Sequence, residues 1–299
     1  MSINALISFI LVVLGTTAMG FNIKIHFNTY NNLQLIPNEK RKPISIECTL
    51  HLILMCFFFL GYLSVAFCIL FEHTAFSLVF VGFIFFFGAI FVFIGLKIQY
   101  TMLTFINETF LQTIKALTSA IEVRDRYTMG HSEHVANLAV LISKKLSPRY
   151  DAGMLQYAGL LHDIGKIGIP EEMLNKPSKL SDYEYDIIKT HPKIGIDIIS
   201  NISGLDEIRD WILFHHERVD GKGYYNISKE RIPLEAKIIA IADTFSALVT
   251  NRPYRKGMKY EKAIVIMKEC AGTQLDEEIL GVFCNISVEE LEKCRPRNI

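Results

Sequence analysis

Three stretches of this 299-residue chain, 4–21, 50–71 and 75–96, contain no Asp, Glu, Lys or Arg. Each is close to the ~20 residues that a helix needs to cross the hydrocarbon core of a bilayer. Only Glu72, His73 and Thr74 separate the second stretch from the third. Two wholly apolar helices joined by three residues make a membrane hairpin, not a pair of core helices. The first stretch follows Met-Ser-Ile, which supplies none of the basic residues that open a secretory signal, and it too is read as a span. Lys24 and the cluster Lys40-Arg41-Lys42 lie between the first and second spans, whereas the turn between the second and third has no basic residue. The positive-inside rule then puts the N-terminus outside and everything after Lys97 in the cytoplasm, as a multi-pass protein of the cell membrane.

The remainder has the composition of an ordinary soluble domain. With 31 basic and 31 acidic residues the chain has zero formal net charge, which argues against binding of nucleic acid polymers, since that usually needs a basic excess. The six cysteines, at 48, 56, 68, 270, 284 and 294, form no CxxC pair and no disulfide-like spacing, as expected of reduced cytosolic thiols.

Residues 97–121 continue the third apolar stretch as a helix. Leu103, Ile106, Phe110, Thr113 and Leu117 recur by threes and fours, a spacing that serves a coiled-coil seam between two protomers or packing onto the chain's own domain. A homodimer through 97–121 is the expectation. Beyond residue 118 helical signals dominate. Ser181 and Glu184 form a capping box for a helix that ends near Thr190, with His191 at its end. Pro233 opens a helix running through 236–249, and 261–270 reads as another. Loops are expected near 170–179, 219–229 and 251–258. The fold class is therefore all-α, divided into a membrane region (1–96), a connecting signalling helix (97–117) and a helical domain (118–299).

Several of these helices put ionisable groups where a core belongs. Tyr157, Leu160 and Leu161 form an apolar face that runs into His162 and Asp163; the stripe 211–214 runs into His215 and His216; Asp243 interrupts the apolar run 238–245. His191 and His131 stand at helix ends. A buried carboxylate is costly unless paired, hydrogen-bonded or metal-bound. Six of the nine histidines fall between residues 131 and 216. Seven imidazole and carboxylate groups exceed what one tetrahedral ion needs and suit two ions of Zn, Fe, Mn or Ni bridged by one Asp.

The order H…HD…H…HH…D resembles the HD phosphohydrolase superfamily, and the finer detail is similar to its HD-GYP branch of cyclic di-GMP phosphodiesterases. The stretches that carry the resemblance are AIEVRDRYTMGHSEHV (120–135), LLHDIGKIGIP (160–170), HPKIG (191–195), HHERVDGKGYY (215–225), IPLEAKIIAIADTFSALVTNRPYR (232–255) and AGTQLD (271–276). Together they cover about residues 112–284. The resemblance implies one metal on His131, His162, Asp163 and Asp243 and a second on His191, His215 and His216, with Asp163 bridging, and iron or manganese as the ions. Asp163 and Lys166 are then the catalytic pair, Lys166 lying one helical turn beyond His162. Lys166, Arg252 and Arg255 are the expected phosphate contacts and Tyr224 the nucleotide contact, with Gly221 and Gly223 turning its loop beside the metals.

Four positions depart from the pattern. Tyr127 replaces a Glu that recruits a third metal in some members, so two are expected. His134 stands where Arg is frequent and is read as a surface residue or one standing directly behind the ligands, not a ligand. Tyr225 replaces the Pro of Gly-Tyr-Pro, which relaxes the loop. Ser246 replaces an Asp, which removes an acceptor behind the ligands. The implied activity is hydrolysis of cyclic di-GMP to linear pGpG, and onward to GMP, in second-messenger signalling. The alternatives are the same chemistry on another cyclic dinucleotide or nucleotide, or a weakly catalytic module that binds partners such as GGDEF-type cyclases. An intact set of seven ligands argues against the last.

Overall fold

The computed structural model describes residues 3–32, 38–71, 78–125, 129–147, 152–250 and 256–296. The chain divides into two compact units, Met1–Thr109 and Phe110–Ile299. No strand forms among the described residues, so the all-α expectation is met.

The first unit is built from α1 (Ile3–Asn32), α2 (Asn38–Leu70) and the N-terminal part of α3 (Leu78–Glu122). Windows Leu6–Phe27, Ile44–Leu70 and Ile90–Glu122 have mean hydropathies of 2.0, 2.5 and 1.4, so three helices are long and apolar enough to cross a membrane. Leu11, Phe21, Phe67 and Phe93 are exposed along them. Both of the first two helices outrun their apolar stretches. Lys24 lies within α1 and Lys40-Arg41-Lys42 within α2, not in a loop, because these long unbranched side chains favour a helix. Inside the unit the His26 Nε2–H donates to the Cys48 carbonyl at 2.9 Å, and His51 stacks on Phe91 at 4.4 Å. The turn residues Glu72, His73 and Thr74 lie outside the described residues.

The second unit begins with the last turns of α3 and continues through α4 (His131–Leu146), α5 (Gly153–Leu161), α6 (Glu171–Leu174), α7 (Asp182–Ile188), α8 (His191–Ile199), α9 (Arg209–Leu213), α10 (Leu234–Val249), α11 (Tyr260–Glu269), α12 (Glu277–Cys284) and α13 (Val288–Lys293). Its core joins the apolar faces of α4, α5 and α10. Leu138, Ile142, Leu155, Leu160, Ile238, Ile239 and Phe245 are all buried there, and Phe245 sits 4.9 Å from Phe283 and 5.1 Å from Tyr260. At the buried-side values of roughly 1.5–3 kcal/mol per large apolar side chain, this core is what fixes the helices that carry the ionisable groups.

Sequence and structure part at several boundaries. His191 does not close α7; it opens α8, where Pro192 fits the first turn because its missing N–H has no helical partner there. The Ser181–Glu184 capping box is present as expected. One helical turn, α6, interrupts the segment expected to be a loop at 170–179. α5 stops at Leu161, and a separate 3₁₀ turn, Ile164–Gly168, carries Lys166. That turn presses on α8: a Cβ at Gly165 would lie 1.8 Å from the His191 carbonyl oxygen, so only glycine admits the contact. Along α3, Leu103, Ile106 and Leu117 are exposed, whereas Phe110 packs edge-on against Tyr157 at 5.3 Å. With Thr113 also exposed, the expected seam is exposed at four positions and turned into the chain's own domain at the fifth.

Candidate metal centre

Two clusters of ligand-type atoms form in the second unit. Asp163, His191, His215 and His216 make one, and His131, His162 and Asp243 the other; within each, the atoms lie within 4.8 Å of one another. They come from the start of α4, the turn after α5, the start of α8, the residues after α9 and the middle of α10. Five separate segments therefore converge on one place. Asp163 stands between the clusters: its Oδ1 lies 3.2 Å from His191 Nε2 and its Oδ2 lies 3.4 Å from His162 Nε2. Asp243 Oδ1 lies 3.0 Å from His131 Nε2.

The outward nitrogens of the rings are pinned. The Nδ1–H groups of His162, His191 and His215 donate to the carbonyls of Gly159, Ile188 and Ile212 at 2.7, 2.8 and 2.7 Å. Each bond reaches three residues back, which the local turn supplies without a distant partner. Fixing the proton on Nδ1 leaves the Nε2 lone pair free to coordinate. Among the described residues, His162 Nε2, His191 Nε2, His215 Nε2 and Asp163 Oδ1 are buried and have no hydrogen bond of good geometry. Buried polar atoms without a partner are rare in folded proteins, and here they face each other across a gap lined by carboxylates. The donor set suits divalent ions of the Fe, Mn or Zn type.

Ionisable groups of the centre hold one another in charged form even without an ion. Burial alone would raise Asp163, yet Lys166 and His162 hold its carboxyl well below the usual range. Asp243 behaves alike, kept low against burial mainly by His131. His162 moves the other way: burial lowers it, but the Asp163 and Asp243 carboxylates push it up to about 9. Burial lowers His216 to about 4 and holds His215 well below its ordinary value. Lys166 Nζ sits 2.7 Å from Asp163 Oδ2 and 3.3 Å from Asp125 Oδ2. It is thus clamped between two carboxylates on the 3₁₀ turn, not displayed on the helix of His162.

The Tyr224 ring lies 4.7 Å from the His216 ring and 6.2 Å from that of His191, over one face of the centre, and burial raises its hydroxyl so that it stays protonated. Gly221 takes φ +73°, and a Cβ on Gly223 would lie 2.5 Å from Glu217 Oε2, so both glycines are needed to bring the loop in. Glu217 is itself buried and accepts the N–H of Tyr225 at 2.5 Å and of Ile227 at 3.3 Å. The loop is therefore not relaxed by the loss of proline. Tyr225 supplies an N–H that proline lacks, and Glu217 holds it.

Ser246 also corrects the reading from sequence. Its hydroxyl lies 2.9 Å from His131 Nδ1 and 2.9 Å from His134 Nδ1, so a partner behind His131 is present after all. His134 is 3% exposed, so of the two readings from sequence the surface one fails and the place behind the ligands fits. The two departures from the family pattern touch each other. Other groups escaped sequence reasoning. Glu122 caps α4 from eight and ten residues upstream by accepting the N–H groups of Gly130 at 2.7 Å and Ser132 at 2.8 Å, which brackets His131. Asp125 joins Lys166. No local spacing rule marks either. Tyr127, Arg252 and Arg255 lie outside the described residues.

The HD domain family is matched over residues 115–279. The chain is similar to the cyclic di-GMP phosphodiesterase response regulator RpfG of Xanthomonas campestris, 35% identical over 180 residues, covering 57% of this chain and 46% of that protein. It is also similar to a cyclic di-GMP phosphodiesterase of Thermotoga maritima, at 36% over 187 residues, covering 61% and 51%. A 3′3′-cGAMP-specific phosphodiesterase 3 of Vibrio cholerae matches at 36% over 181 residues, covering 60% and 39%. The chain spans about half the length, or less, of these relatives.

Proposed function

The chain belongs to the HD domain family, and from that premise we propose that it is a membrane-anchored phosphodiesterase that holds two iron or manganese ions and opens cyclic di-GMP to linear pGpG. The observation that supports it most is Asp163, whose two oxygens face different histidine clusters. His131, His162, Asp163 and Asp243 would hold one ion; His191, His215, His216 and Asp163 the other. When bound, such a pair supplies Lewis acidity to a phosphodiester and a nucleophile at neutral pH.

The chain's own side chains do the rest. Lys166 places a half-buried cation beside Asp163, where it can offset charge that develops on a phosphate oxygen. Tyr224 offers a flat ring and a protonated hydroxyl to a base over the His216 face. Arg252 and Arg255 provide guanidinium forks for the second phosphate. The region 1–96 anchors the domain with its N-terminus outside and residues 118–299 in the cytoplasm, and 97–121 joins two protomers. GGDEF-type cyclases are the proposed protein partners.

A second reading, another cyclic dinucleotide as substrate, is favoured by one fact: the match to the cGAMP-specific relative is as high as those to the cyclic di-GMP enzymes. The full chain, purified anaerobically in detergent and loaded with iron or manganese, is to be incubated with cyclic di-GMP, 3′3′-cGAMP and cyclic di-AMP. The expected result is pGpG from cyclic di-GMP, slowed about 100-fold by Lys166→Met with metal retained. Loaded protein that turns over none of the three overturns the enzyme. Turnover of another dinucleotide alone overturns only the substrate.

A further inference from the structure

Ser246 Oγ is a single hydroxyl between two imidazoles, and among the described residues it hydrogen-bonds only to them. A hydroxyl has one proton to give. His131 presents Nε2 to Asp243 Oδ1 at 3.0 Å, which leaves its Nδ1 for Ser246. To ligate through Nε2, His131 must carry its proton on Nδ1, so that nitrogen has to donate. It does so only if the Ser246 hydroxyl proton points elsewhere, because a serine donating to His131 Nδ1 would force the proton onto Nε2 and block the ligand lone pair. His134 Nδ1, on the same oxygen, is the acceptor that takes the hydroxyl proton.

We infer that His134 and Ser246 are positioning residues that hold His131 in the one tautomer able to bind metal, the hydrogen bonds running from His131 Nδ1–H to Ser246 Oγ and from Ser246 O–H to His134 Nδ1. Three observations carry this. Both distances are 2.9 Å. Ser246 is fully buried and His134 nearly so, which keeps water from competing for the hydroxyl. Burial, with His131 and Arg295 nearby, lowers His134 to about 3, so the ring is neutral; with Nδ1 as acceptor its one proton sits on Nε2, a buried atom without a hydrogen-bond partner among the described residues. The other three ligand rings of known partner use fixed backbone carbonyls, which can only accept. Of these four rings only His131 relies on a rotatable hydroxyl, and His134 makes that hydroxyl behave as a carbonyl does.

The inference rests on the metal-centre reading above. Its test is Mn(II) titration of the metal-free full chain in detergent, followed by electron paramagnetic resonance, for four proteins. Wild type should bind two ions. Ser246→Ala, which removes one buried atom, should weaken one site about 10–100-fold and spare the other. His134→Leu, which removes the acceptor, should weaken that same site, whereas His134→Asn, whose amide oxygen can replace Nδ1 as acceptor, should stay near wild type. Unchanged affinities at both sites in Ser246→Ala and His134→Leu would overturn the inference while leaving the metal centre standing. So would His134→Asn falling as far as His134→Leu, since volume and not the acceptor would then matter. Wild type that binds no ion defeats the metal-centre reading and this inference with it.

Discussion

His162 sets a pH condition on the centre. Its metal-free pKa is pushed up to about 9, because the Asp163 and Asp243 carboxylates outweigh burial. An imidazole raised above its ordinary 6.5 stabilises the metal-free fold fully below 6.5 and loses that contribution as the pH rises through about 9. A metal ion must displace the same proton, so affinity should increase with pH by up to about tenfold per unit between 6.5 and 9, with one proton released per ion bound at that site. Calorimetric titration in buffers of different ionisation enthalpy reads both; a flat affinity over that range would contradict the assignment. The seven ligand-type residues were legible in the sequence because each is ionisable and stands in or beside an apolar helical face. Their partners were not. Ser246 meets His131 across 115 residues and His134 across 112, and such contacts leave no trace in spacing.

The loop that follows His215 and His216 shows how an element can absorb a missing residue. Glu217 reaches over the glycine turn and binds the Tyr225 and Ile227 N–H groups. Tyr225→Pro, which restores the family's residue, should here remove a hydrogen bond to a charged group worth about 1.5–3 kcal/mol. The expected outcome is a lower thermal midpoint and a raised KM, since Tyr224 is carried by the same loop, with metal content unchanged. A variant with unaltered midpoint and KM would show that the loop is held by something else. At this scale the sequence showed one helix start better than it showed helix ends. The Ser181–Glu184 box marked the start of α7, but the break between α5 and the Lys166 turn was hidden. An i,i+4 spacing from His162 to Lys166 suits a continuous helix as well as it suits a helix followed by a 3₁₀ turn.

For the whole molecule, α3 links the two units in sequence, its residues to Thr109 falling in the first and those from Phe110 in the second. Leu103, Ile106 and Leu117 expose apolar surface along it. If two protomers meet there, Leu103→Cys in membranes should form a disulfide-linked dimer under mild oxidation, and Glu108→Cys should do so less; equal or absent crosslinking would count against the seam. The three apolar helices were legible in composition alone, because runs of about 20 residues without a charge have the length and character of a helix that can cross a bilayer. The centre's architecture required the fold, which draws five segments around Asp163. The most direct measurement is therefore the metal stoichiometry of the full chain, wild type beside Asp163→Asn and His216→Ala. Two ions per chain should be found in wild type, one retained in His216→Ala, and both weakened in Asp163→Asn together with loss of hydrolysis. A single ion in wild type, or two ions still bound as tightly in Asp163→Asn, would contradict a carboxylate-bridged pair.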